Sequence, residues 1–153
     1  YFDSCIENPG IDKKLVVRFR PEDLRSGASD LDIYPYCKEH GWKLYFRLDL
    51  HAKTYVFDRL RCIIGSANAT SSGLNIGGIG NYEMATACNL ADHDLQALDL
   101  LLLGAVEMND NIYDLMQISL LSQNKVLILG FENNRVNYSL KTNSNGNKRS
   151  NCN

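Results

Sequence analysis

The stretch His51-Ala-Lys-Thr-Tyr-Val-Phe-Asp-Arg-Leu-Arg-Cys-Ile-Ile-Gly-Ser-Ala-Asn68 decides how the rest of the chain is read. Two runs rich in β-branched and aromatic residues, Lys53 to Phe57 and Leu60 to Ile64, flank Asp58-Arg59. That arrangement predicts two strands joined by a tight turn. Residues two apart in a strand project from one face, so His51 and Lys53 point together. Ser66 and Asn68 do the same if the second strand stays extended as far as Asn68. The hairpin then gathers an imidazole, an ammonium, a hydroxyl and a carboxamide. Those are the parts needed to grip a phosphate and attack it: donors for its oxygens, and a nucleophile in line with a leaving group.

On the N-terminal side, Leu15-Val16-Val17-Arg18-Phe19 reads as a strand, and Arg20-Pro21-Glu22-Asp23 as its end followed by a helix start. Asp30 to His40 carries apolar residues at helical spacing and stops at Gly41, with Pro35 limiting how far back the helix begins. Lys43 to Leu48 is another strand. On the C-terminal side, Asn68 to Asn81 is rich in Ser, Thr, Gly and Asn and predicts a loop. Its Gly78-Ile79-Gly80 lacks the strand before and helix after that a dinucleotide fingerprint needs. Glu83 to Cys88 predicts a further strand, Asp92 to Met108 a helix, Asn111 to Leu121 a second helix, and Lys125 to Leu129 an edge strand. Leucines occupy so much of the circumference of the Asp92 to Met108 segment that burial on both sides is expected, in a core or against a partner subunit. The organisation expected is one α/β domain over residues 1–130, a mixed β-sheet flanked by helices, and an Asn/Ser-rich tail or linker over 131–153.

Composition narrows the function. The chain has 153 residues, 44% hydrophobic and 22% charged, enough for one domain with a real core. Its formal net charge of −2 excludes the bulk positive field of a generic nucleic-acid coat protein, so any polyanion contact is local. Five cysteines without a C-x-x-C pair fit neither a disulfide framework nor a zinc site and read as reduced thiols in a cytoplasmic protein. With three histidines and no clustered ligands, no metal or other cofactor is expected. The longest apolar run, around Leu98 to Val106, is broken by Asp99 and Gly104, so no membrane association is expected. Tyr1 follows neither Met nor an apolar leader, which predicts that the numbering starts inside a longer product or after processing.

The spacing His-x-Lys-x4-Asp-x6-Gly-Ser-x-Asn resembles the HKD motif of the phospholipase D superfamily, and His51, Lys53, Asp58, Gly65, Ser66 and Asn68 match every fixed position. Each fixed position is met by chance about one time in twenty, so six together are specific. The similarity extends from about Leu15 to Cys88, because members of the family have a strand, a helix ending in Gly and a strand before the motif, and a Glu some residues after it. Glu83 in Asn81-Tyr82-Glu83 matches that Glu. A nucleophilic imidazole needs its second nitrogen held by an acceptor, and Glu83 is the candidate. The resemblance implies a phospholipase D-like fold and metal-free catalysis through a covalent phosphohistidine. His51, Lys53, Asn68 and Glu83 would be catalytic, Lys53, Ser66 and Asn68 phosphate-binding, and Asp58 and Gly65 structural.

The motif alone leaves the substrate open, because the family divides between lipids, DNA and RNA. Short single-copy members are often nucleases that dimerise to supply a second motif, and the sequence looks most like PLD-like domains of metal-independent restriction endonucleases and other defence proteins. The expectation is therefore a homodimeric nuclease. Lys13, Lys14, Arg18, Arg20, Arg25, Lys43, Arg47, Arg59 and Arg61 form a candidate basic surface, although acids such as Glu22, Asp23 and Asp32 are interspersed. The alternatives are a non-catalytic module that grips phosphates and a lipid phosphodiesterase. The latter should display an interfacial apolar element, and none is evident in the sequence outside the leucine-rich helix.

Overall fold

A computed structural model describes residues 10–121. In order these form β1 (Lys13–Arg18), α1 (Pro21–Arg25), α2 (Ile33–Glu39), β2 (Trp42–Arg47), β3 (Thr54–Phe57), β4 (Arg61–Gly65), β5 (Ala85–Asn89), α3 (Asp92–Leu103), β6 (Val106–Glu107) and α4 (Asp110–Leu121). The chain is α/β, with its strands divided between two three-stranded sheets, ordered β1-β2-β6 and β3-β4-β5. It resolves into two compact units, the described parts of Tyr1–Leu50 with Leu102–Asn153, and His51–Leu101. The expected strand at Lys125 to Leu129 and the tail at 131–153 lie outside the described residues.

In the first unit the β-branched run of β1 pairs in parallel with β2, from Lys13 against Trp42 to Arg18 against Arg47. Parallel neighbours require a crossover, and α1 with α2 provides it. Pro21 opens α1, where its missing N–H has no intrahelical partner to lose, and Glu22 and Asp23 face the positive end of the helix. The Arg18 guanidinium reaches Asp23 with two hydrogen bonds of 2.7 and 3.0 Å and ties the strand end to this turn. Pro35 sits in the first turn of α2 for the same reason as Pro21, and the helix stops where Gly41 takes φ +70°. Phe19, Leu31, Cys37, Leu44, Phe46, Val106, Met108 and Met116 form the core of this unit. Complete burial of a side chain such as Phe46 stabilises by about 1.5–3 kcal/mol relative to exposure.

The helix expected over Asp92 to Met108 ends earlier, at Leu103. Gly104 interrupts it, and the β-branched Val106 instead pairs antiparallel with Phe46 as part of β6. Ala105, Val106 and Met108 are thereby buried, and the Met108 N–H donates to the Leu44 carbonyl at 2.8 Å. Tertiary pairing has overridden a leucine-rich helical pattern here. Burial of that pattern in a core of its own chain is not found: no residue of α3 is buried, and Leu100 and Leu103 are exposed.

The second unit is an antiparallel meander. β3 pairs with β4 from Thr54 against Ile64 to Phe57 against Arg61, and β4 with β5 from Arg61 against Asn89 to Gly65 against Ala85. At the turn between β3 and β4, Asp58 and Arg59 both adopt positive φ, 52° and 55°, and the Leu60 N–H closes onto the Phe57 carbonyl. This mirror-image turn matches the twist of the flanking strands, and Asp tolerates its left-handed conformation better than most residues. Arg59 is held there by two hydrogen bonds to Asp99 of α3, at 2.7 and 2.9 Å.

Candidate active site

Apart from Asp58, the motif residues occupy one end of the second unit, where β3 begins, β4 ends and β5 begins. His51 and Lys53 lie just before β3, yet the Lys53 carbonyl already accepts the Gly65 N–H at 3.2 Å and so stays in register with β4. Lys53 Nζ stands 3.2 Å from His51 Nε2 and 3.2 Å from the His51 carbonyl. An ammonium has donors only, so a hydrogen bond between the two uses Nε2 as the acceptor. The ring nitrogen beside Lys53 therefore carries a lone pair on an exposed side chain.

Ser66 and Asn68 do not continue as a strand, contrary to the condition under which they share a face. β4 ends at Gly65, and Asn68 enters a turn in which its carbonyl accepts the Thr70 N–H at 2.8 Å. Two glycines explain why the chain is built this way. A Cβ on Gly65 would lie 2.6 Å from the Met84 carbonyl and 2.8 Å from the Ala85 Cβ, so the motif glycine is what lets β4 and β5 meet beside the site. A Cβ on the buried Gly73 would lie 2.4 Å from the Asn68 carbonyl oxygen, so Gly73 sets where Asn68 stands. The Asn68 carboxamide is exposed and hydrogen-bonds to no described residue. The Tyr55 hydroxyl donates to the Ala67 carbonyl at 3.2 Å and steadies the same segment.

Glu83 closes the base of the loop. The Ser66 hydroxyl donates to Glu83 Oε2, while Ser66 Oγ accepts the Met84 N–H at 3.1 Å and the Ser66 N–H donates to the Met84 carbonyl at 3.0 Å. Asn81 donates its carboxamide to Glu83 Oε1 at 3.1 Å, and its backbone N–H to the Ser72 carbonyl at 2.9 Å. The Ser66 and Asn81 hydrogen bonds hold the Glu83 carboxyl below its usual range, and the Lys53 charge adds to this. Desolvation, and secondly the Glu83 charge, push the Tyr55 phenol up.

By hydrogen bonding the motif side chains fall into two pairs, His51 with Lys53 and Ser66 with Glu83, and the Asn68 carboxamide bonds to neither. Glu83 bonds to Ser66 and Asn81 rather than to His51, whose ring meets only Lys53 among the described side chains. Asp58 lies in the turn at the far end of β3. Tyr55, Gly73 and Asn81 are positioning residues that the sequence reading missed. Tyr55 shares the alternation of His51 and Lys53, and Asn81 lies two residues before Glu83, so the i, i+2 spacing already used could have found both.

The candidate basic surface is largely committed elsewhere. Besides Arg18 and Arg59, Arg47 holds Asp49 at 2.7 and 2.8 Å, Lys14 pairs with Asp12, Lys13 reaches the His40 carbonyl at 2.5 Å and Arg20 the Leu48 carbonyl at 2.7 Å. Between His51 and Leu101 there are three basic residues, Lys53, Arg59 and Arg61, against five acids, Asp58, Glu83, Asp92, Asp94 and Asp99, a formal charge of −2 with His neutral. An apolar element absent from the sequence reading does appear: Ile79, Tyr82 and Met84 are 88%, 99% and 76% exposed around Asn81 and Glu83. His40 caps α2, its Nδ1 2.9 Å from the Tyr36 carbonyl, and His93 stands exposed with Nε2 3.2 Å from Asp94. Among the described residues no three His, Cys, Asp or Glu side chains gather into a metal-sized cluster, and no helix is long and apolar enough to cross a membrane.

The family model described as "Cardiolipin synthase, PLD-like domain" matches residues 8–97, more than half of the chain and a span that holds every motif residue from His51 to Glu83. No curated protein and no solved structure matches the chain. The chain belongs to this PLD-like domain family, and through it to the phospholipase D superfamily.

Proposed function

We propose that the chain is a metal-independent nuclease that cleaves DNA or RNA phosphodiesters through a covalent intermediate on His51. Superfamily membership supports phosphodiesterase-type chemistry in general. The observation that supports the covalent step is the Lys53 Nζ to His51 Nε2 contact of 3.2 Å, which puts a ring nitrogen beside a cation; when Lys53 gives up this hydrogen bond for a phosphoryl oxygen, the Nε2 lone pair is released to attack. In the first step the Nε2–phosphorus bond forms, the phosphorus–oxygen bond to the leaving group breaks, and the leaving oxygen takes a proton from a second imidazole. In the second step water attacks phosphorus, gives its proton to that imidazole, and the nitrogen–phosphorus bond breaks. Lys53 and Asn68 stabilise the charge on the phosphoryl oxygens. Ser66 could join them only by exchanging Glu83 for phosphate, since its single hydroxyl proton is already given to Glu83.

We take the second imidazole from the partner's His51 in a homodimer, since His51 is the one motif histidine in these 153 residues and a two-fold axis would face two copies of it across one phosphate. The free state of Cys37, Cys62 and Cys88 suits a reducing cytoplasm, and a role in a restriction or defence protein follows from the single-copy nuclease reading.

Lipid phosphodiester cleavage is the second reading, favoured by the exposed Ile79, Tyr82 and Met84 beside the site and by the absence of net positive charge between His51 and Leu101. A parallel assay in EDTA on single-stranded DNA, duplex DNA, RNA and phosphatidylcholine vesicles separates the two. Nucleic-acid cleavage that weakens with salt and disappears in His51→Ala is the expected result. Turnover confined to vesicles transfers the account to lipids, and salt-dependent binding without cleavage of any substrate reduces the chain to a phosphate-gripping module.

A further inference from the structure

β4 and β5 place two thiols directly opposite each other: Cys62 pairs with Cys88 across the antiparallel ladder, with their sulfurs 3.3 Å apart. Opposed residues in such a ladder have Cα atoms about 4.5–5.5 Å apart, inside the range of about 4.4–6.8 Å that a disulfide spans, so the backbone spacing admits the bond. The environments of the two thiols differ. Cys62 is 1% exposed, whereas Cys88 is open to solvent. An oxidant in solvent therefore reaches Cys88 before Cys62. Cys37, by contrast, is buried in the other unit with its thiol pushed up to about 11 by desolvation, and no thiol pairs with it among the described residues.

We propose that Cys62 and Cys88 form a peroxide-oxidisable dithiol that staples β4 to β5. The Cys88 thiolate attacks hydrogen peroxide, forming a sulfur–oxygen bond as the oxygen–oxygen bond breaks and hydroxide leaves. The Cys62 thiolate then attacks the sulfenic sulfur, the sulfur–sulfur bond forms, and hydroxide leaves and is protonated to water. Two thiols lose two electrons and one peroxide is reduced to two waters, and a thiol reductant reverses the bridge. The staple fixes the two strands whose ends carry Ser66 and Glu83, and it does so whatever the substrate of the site is.

The test uses the full reduced chain, treated with hydrogen peroxide, alkylated and cleaved by a protease specific for glutamate. Cleavage after Glu83 puts Cys62 and Cys88 on separate peptides, whereas no Lys or Arg lies between Ser66 and Asn124 for trypsin to use. The expected product is one linked peptide pair carrying Cys62 and Cys88, formed in near-complete yield, lost on dithiothreitol treatment, and still formed when Cys5 and Cys152 are both replaced by Ser. Cys88→Ser should abolish the link and leave Cys62 unoxidised. Over-oxidised Cys88 with Cys62 still alkylatable, or Cys88 bridged to Cys5, Cys152 or a second chain, overturns the proposal.

Discussion

Ser66 and Glu83, 17 residues apart, share a hydrogen bond in which the serine donates its only hydroxyl proton, so the loop between them is closed at its base by side chains as well as by backbone. The pair converts a Ser-, Gly- and Asn-rich segment with little apolar content into a held loop that presents Asn68.

This latch has a predictable pH dependence. Ser66 and Asn81 lower the Glu83 carboxyl from its ordinary 4.5, so the contribution of the latch is fully present above about 4.5 and is lost as pH falls through the lower folded value. Urea unfolding of wild type and Glu83→Gln should therefore differ near neutral pH and converge in acid. A difference that persists unchanged, or grows, below that range contradicts the assignment.

Lys53→Ala and Asn68→Ala each remove a donor to the transition-state oxygens while leaving the β3-β4-β5 ladder unaltered. Each should lower kcat/KM by about tenfold or more, equivalent to about 1.4 kcal/mol of transition-state stabilisation, with no change in urea midpoint. A rise in KM with kcat unchanged, or parallel loss of stability, would assign these residues to binding or to the fold.

Gly73→Ala places a methyl where the Asn68 backbone already sits, 2.4 Å from its carbonyl oxygen. Activity should fall as far as in Asn68→Ala, and combining the two should add little, because both act through the same carboxamide. Full additivity in the double variant would show that Gly73 does not act through Asn68.

Much of this was legible in the sequence because the informative signals were local. The β-branched runs, the stop at Gly41 and the Asp58-Arg59 turn are each set by a few neighbouring residues, and they appear where their chemistry places them. What was not legible depended on distant partners. The residues Val106-Glu107 look helical beside the leucines of α3 until Tyr45 and Phe46 offer an edge to pair with. Likewise, the need for glycine at 65 depends on the close approach of Met84 and Ala85 from across a long loop, and the pairing of Ser66 with Glu83 depends on the same approach. The basic residues of the N-terminal part were visible, but not that Asp23, Asp49 and Asp99 occupy three of their guanidinium groups.

The second imidazole sets the oligomeric requirement. Wild-type and His51→Ala chains unfolded and refolded together in equal amounts pair at random, so about a quarter of the dimers carry two histidines. If both are needed, activity falls to about a quarter of the all-wild-type value at equal total protein. A fall only to about half, or turnover by a species that sediments as a monomer, shows that one chain holds a complete site.

The most direct measurement is the capture of the intermediate. Enzyme mixed in EDTA with an end-labelled oligonucleotide and quenched within a turnover should carry label in a covalent phosphoramidate, stable to alkali and released by acid, on the peptide containing His51 and on no other. The label should be absent from His51→Ala. Label on a different residue, or cleavage that EDTA abolishes and magnesium restores with no adduct at any time, contradicts a phosphohistidine mechanism at His51.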